Sequence, residues 1–198
     1  MGSDVMAQRG WDFLCPHIRP ERAEKIVRYA KDYFEPALVR FPELFGKVRL
    51  SLRKFGWLAE HDPELYIVIR ESALEEGSPW RIRATTAHEL MHLVQFSAGF
   101  GLGKYVDIGL ERQATFLTFA RGFAYDFLRE FSASCTRETC DHTHKFCYYS
   151  CSLLFRGCCR DCAEDELQAM AGKLAALASC YGLHDSPDYF KLVRTCLL

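Results

Sequence analysis

From Ile82 to Phe96 the chain reads IRATTAHELMHLVQF, a run with no proline or glycine that stops at the glycines of GFGLG. A run of this length and apolar content, closed by glycine, predicts a helix. Two histidines, His88 and His92, stand four residues apart on it. A helix advances about 100° per residue, so positions four apart lie within about 40° of each other and about 6 Å along the axis. The two imidazoles therefore share one face of a largely apolar helix. Either they pack as hydrogen-bonded or solvated side chains, or they hold something between them. Composition alone yields about 0.02 matches to His-Glu-x-x-His in a chain of this kind, which makes coincidence a weak explanation.

The pattern around this helix is mixed. RPERAEKIVRYAKDYF repeats Ala23, Ile26, Val27, Ala30, Tyr33 and Phe34 at helical spacing, predicting a helix from Pro20 to about Glu35 that Pro36 ends or kinks. GKVRLSLRK alternates Val48, Leu50 and Leu52 with Arg49, Ser51 and Arg53, the pattern of a half-buried strand. ELYIVIRES is a second, more apolar strand, bounded by Pro63 and the EEGSP turn. After the histidine helix, a long helix is expected from about Asp107 to Phe131. Leu110, Ala114, Leu117, Ala120 and Ala124 lie on its stripe and Asp107 is placed to cap it. DCAEDELQAMAGKLAALASCYG reads as a further helix stopped by Gly182, and SPDYFKLVRTC as a last short one. The expectation is an α+β unit over residues 1–131 and a helical, cysteine-rich subdomain over 132–198.

A zinc ion bound for catalysis takes three protein ligands and keeps one position open. His88 and His92 supply two, and Glu89 is better placed to touch a water at the metal than to ligate beside His88. A third ligand six residues beyond His92 is ruled out, because that position is Ala98 and the glycine expected before it is Gln95. The remaining source is a carboxylate on the next helix. Glu111 stands there, with 18 residues between it and His92, and Asp107 is its rival four residues earlier.

His88-Glu89-x-x-His92 followed by Glu111 resembles the signature of the gluzincin metallopeptidases, the group that includes thermolysin-like enzymes and the zinc aminopeptidases. The spacing is similar to the aminopeptidase branch, and the resemblance covers about residues 47–131. It implies a zincin-like fold: a small twisted sheet with an edge strand lying over the active-site helix, ELYIVIRES being that edge. It also implies zinc held by His88, His92 and Glu111, with Glu89 as general base in the hydrolysis of an extended peptide. Two features depart from the family. The aminopeptidase motif rich in Gly, Ala, Met, Glu and Asn is missing, and Thr115 stands where thermolysin-like proteins carry an aspartate that orients a zinc histidine. The oxyanion donor that such chemistry needs has four candidates, Tyr148, Tyr149, Tyr181 and His184.

Seven of the ten cysteines lie between Cys135 and Cys162. Cys147-x3-Cys151 and Cys158-x3-Cys162 place each pair one helical turn apart, which suits two disulfides, Cys147–Cys162 and Cys151–Cys158, closing a hairpin. A second zinc on Cys140, His142 or His144, and Cys147, an iron–sulfur cluster, and free thiols are the alternatives. The 25 Lys and Arg against 26 Asp and Glu leave a net charge of −1, so no nucleic-acid partner is expected. No apolar run approaches the roughly 20 residues a membrane span needs, and the N-terminus has no signal-like apolar core, so a cytoplasmic protein is expected. The expected partner is a peptide or protein substrate. The alternatives are a non-catalytic zinc-stapled binding module and a zinc hydrolase of a non-peptide amide, which share every site residue. The oligomeric state is not legible.

Overall fold

The computed structural model of the chain describes residues 11–13, 20–53, 65–100, 108–134 and 163–185. The chain divides into two compact units, Met1–Ala98 and Gly99–Leu198.

The first unit is built on a three-stranded sheet of order β1-β2-β3, with β1 at Trp11–Phe13, β2 at Val48–Arg53 and β3 at Leu65–Arg70. Both pairings are parallel, with Trp11 opposite Val48 and Leu50 opposite Ile67. The sequence pattern predicts which side chains of β2 point inward, and Val48 and Leu50 are indeed buried. Alternation says nothing of strand direction. A parallel neighbour requires a crossover, and the helical segment between β1 and β2 supplies it. Among the described residues β3 is an edge strand, paired with β2 alone.

That crossover is α1 (Pro20–Tyr29), a wide turn of π geometry (Ala30–Phe34) and α2 (Glu35–Leu38). The helix therefore runs past Pro36, where the sequence predicts an end or a kink. The Glu35 N–H reaches back five residues to the Ala30 carbonyl, which inserts one extra residue just before the proline. Proline has no N–H to donate and its ring collides with the carbonyl four residues back, and a widened turn relieves both. A 3-10 turn (Pro42–Leu44) leads into β2. After β3 come a short helix, α3 (Glu71–Glu76), where the sequence suggests strand end and turn, and then α4 (Pro79–Ser97), the helix of the two histidines.

The second unit contains α5 (Ile108–Thr118), a second wide turn (Phe119–Phe123), α6 (Ala124–Ser134) and α7 (Glu164–Ala178). A single helix from Asp107 to Phe131 is thus corrected to two, broken at Gly122, whose φ of 93° no L side chain adopts readily. Phe119 meets Phe127 edge to face at 5.4 Å between ring centres, and α7, whose Leu167 and Leu174 are buried, packs over this turn. Ala163 has no side-chain acceptor to cap α7, and Glu166 takes over by accepting the Ala163 N–H at 3.0 Å. Gln113 closes the unit's far end, its buried amide donating to the carbonyls of Leu183 and Asp185, each at 2.8 Å.

No atom crowds a Cβ built at Gly122, so Gly122→Ala is opposed by backbone strain alone. The expected result is a loss of about 1–2 kcal/mol in denaturant unfolding. An unchanged midpoint would mean that α5 and α6 can join into one straight helix.

The cysteine block 135–162, Asp107 and the terminal helix from Ser186 lie outside the described residues. Cys180, which is described, is an exposed free thiol. No helix among the described residues is long and apolar enough to cross a membrane.

Candidate metal centre

Local signals set the frame of α4. Ser78 is its N-cap, accepting the Arg81 N–H on its hydroxyl at 3.1 Å, and Pro79 occupies the first helical position, where its missing N–H leaves nothing unpaired. At the other end the Ala98 N–H returns to the Val94 carbonyl, and Gly99 turns out of the helix with φ 87°. Between these ends nearly every face is buried: Ile82, Ala84, Thr86, Ala87, Leu90, Met91, Leu93 and Val94 are all under 9% exposed. In the first unit α4 packs on α2, the turn at 30–34, the 3-10 turn and β3.

His88 and His92 are buried with this helix, at 3% and 8% exposure. They are therefore not solvated surface histidines. Burying an imidazole without partners is costly, and here the partners come from the same helix. The two Nε2 atoms lie 2.9 Å apart, with the rings edge to face at 4.5 Å. On its other side, His92 Nδ1 lies 2.8 Å from Gln95 Oε1. As placed, Gln95 Oε1 accepts from His92 Nδ1, and the lone pair of His92 Nε2 then accepts from His88 Nε2. Phe96 lies nearly parallel to the His92 ring at 6.1 Å.

The donor chemistry fits zinc. Two ligands about 2.05 Å from a tetrahedral ion stand about 3.3 Å apart, a span that the observed Nε2 separation approaches to within a few tenths of an ångström. Two neutral imidazoles and a carboxylate make up one of the common ligand sets of catalytic zinc.

Glu89 is half-buried on α4, with Oε2 shielded from solvent. Its negative charge is felt by Tyr29 of α1. Burial pushes the Tyr29 phenol far above its ordinary range, and the Glu89 charge adds to it. The hydrogen-bond directions follow from the donors available. Thr86 Oγ1 donates to the Ile82 carbonyl at 2.6 Å, so the Tyr29 hydroxyl must donate to Thr86, at 2.8 Å. This buried relay ties α1 to α4 two residues before His88.

His88, Glu89 and His92 are thus brought together on one helix. Glu111 lies in the first turn of α5, half-buried, in the second unit. Thr115, one turn later, is buried at 3%. Two oxyanion candidates can be placed, both in the second unit: Tyr181 packs edge-on against Phe116 at 5.5 Å, and the exposed His184 lies 5.5 Å from Phe100. Tyr148 and Tyr149 lie outside the described residues. Sequence reasoning overlooked Gln95, noticed only as the absence of a glycine. Its spacing, one turn after His92 on the same face, was the available signal.

Comparison with protein-family models, with curated proteins and with solved structures found no match for this chain.

Proposed function

We propose that the protein is a zinc-dependent peptidase in which His88, His92 and Glu111 hold the ion and Glu89 is the general base. The observation that carries this reading is the buried histidine pair, with both Nε2 atoms converging and the far nitrogen of His92 already tied to an acceptor. Glu111 is the carboxylate proposed to complete the set, each of the three residues offering one ligand atom. The zincin-like fold remains part of the same proposal, and an edge strand, β3, preceding the histidine helix in the chain supports it.

Zinc supplies, when bound, polarisation of the scissile carbonyl and a drop in the pKa of water from 15.7 to about 7. The chain's own residues do the rest. Glu89 takes the proton of the attacking water and passes it to the leaving amine. An edge strand such as β3 can hold a peptide extended through backbone hydrogen bonds, which favours peptide substrates with little regard to side chains.

The test is elemental analysis of the purified protein followed by a cleavage assay on an unfolded protein. The expected result is one zinc ion per chain, with cleavage lost on chelation and regained on adding zinc. Zinc bound without any cleavage would leave a metal-stapled binding module. A protein without zinc would reduce the histidines to a hydrogen-bonded core pair.

A further inference from the structure

A histidine that ligates through Nε2 works best when its Nδ1–H is held by an acceptor, which fixes both tautomer and ring orientation. The position from which thermolysin-like proteins supply that acceptor is Thr115 here, and its side chain is a weaker partner than a carboxylate.

We propose that Gln95 is the positioning residue for His92, an inference that rests on the zinc reading above. Gln95 is wholly buried, at 0% exposure, and its Oε1 lies 2.8 Å from His92 Nδ1. Three residues along a helix is one turn, so the amide stands against the imidazole without any distortion of α4. The ring of His92 is then held at Nδ1 by Gln95 and on its face by Phe96. What is left to Nε2 is a lone pair in a fixed direction.

A neutral amide also makes chemical sense at this place. A carboxylate would raise the basicity of the imidazole further, but an ionised group at 0% exposure costs several kcal/mol of desolvation unless it is well paired. Glutamine provides the acceptor without that charge. It orients His92 and makes it only modestly more basic.

The experiment measures zinc affinity by competition with a chromophoric chelator, for the wild type, Gln95→Met and Gln95→Glu. Methionine has similar length and no comparable acceptor. Gln95→Met is expected to bind zinc 10- to 100-fold more weakly, the usual cost of losing such a partner. Gln95→Glu is expected to restore affinity to within a few-fold of wild type or better. The absorption spectrum of the cobalt-loaded protein should shift in Gln95→Met and return in Gln95→Glu, a signature that a packing role would not produce. Zinc binding equal to wild type in Gln95→Met would overturn the assignment while leaving the metal site standing. A wild type that binds no zinc would overturn the metal reading, and the assignment with it. Should Gln95→Met fail to fold, two-bond ¹⁵N–¹H correlation of the wild-type histidines decides the matter. A proton on His92 Nδ1 supports the assignment, and one on Nε2 alone overturns it.

Discussion

Glu89→Gln is expected to abolish peptide hydrolysis while leaving one zinc ion bound per chain. Glutamine keeps the shape of the side chain and loses only the capacity to take a proton. General bases of this kind contribute about 10²–10⁴-fold to rate, so cleavage should fall into the background of a mass-spectrometric product assay. The surroundings favour a clean outcome. Glu89 is half-buried, and the raised Tyr29 phenol stays neutral with or without the charge that the substitution removes, so its bond to Thr86 is kept. The folded state should not suffer. Activity that survives would place the base elsewhere. Zinc lost along with activity would make Glu89 a ligand and displace Glu111 from that role.

His88→Ala is expected to remove zinc from the purified protein altogether. Apparent zinc affinities of protein sites correspond to about 10–16 kcal/mol, so one ligand in three accounts for on the order of 4 kcal/mol, roughly a thousandfold in Kd. His88 is 3% exposed, so its truncation also opens a hole in a buried part of α4. Circular dichroism must therefore show the helices intact before metal content is interpreted. Zinc that persists in a folded His88→Ala protein would move the ion to the cysteine block and leave α4 as a core helix.

Several features of α4 can be read from the sequence because their causes are local. Spacing of four puts His88 and His92 on one face whatever the fold, and Gly99 marks the helix end through its backbone freedom. Strand existence and facing were legible in Val48 and Leu50 for the same reason. What was illegible depends on partners distant in sequence or on exceptions to a period. The parallel direction of β2 and β3 is set by how the chain crosses over, not by alternation. Gly122 looks like a tolerated glycine in a helical pattern, since one costs only about 1 kcal/mol there, yet it takes a left-handed conformation and breaks the helix. Pro36 looks like a stop, and the widened turn before it absorbs the offence. The shared face of His88 and His92 on α4 was legible for that local reason, and the contact of Gln95 with His92 was not drawn from it. The role proposed for Glu111 depends on a second unit, and spacing alone suggests it.

His88, Glu89, His92 and Gln95 occupy two turns of one helix, pinned by Ser78 below and Gly99 above. Their mutual spacing therefore belongs to a rigid rod and involves no loop. When α4 shifts in its bed, the two nitrogens, the carboxylate and the amide translate together, and thermal motion alters where the quartet is but hardly its internal distances. Glu111, the carboxylate proposed as third donor, is borne by α5 of the second unit and lies outside that rod. A substitution in α5 can therefore alter the proposed third donor while the spacing of the quartet on α4 stays as it is.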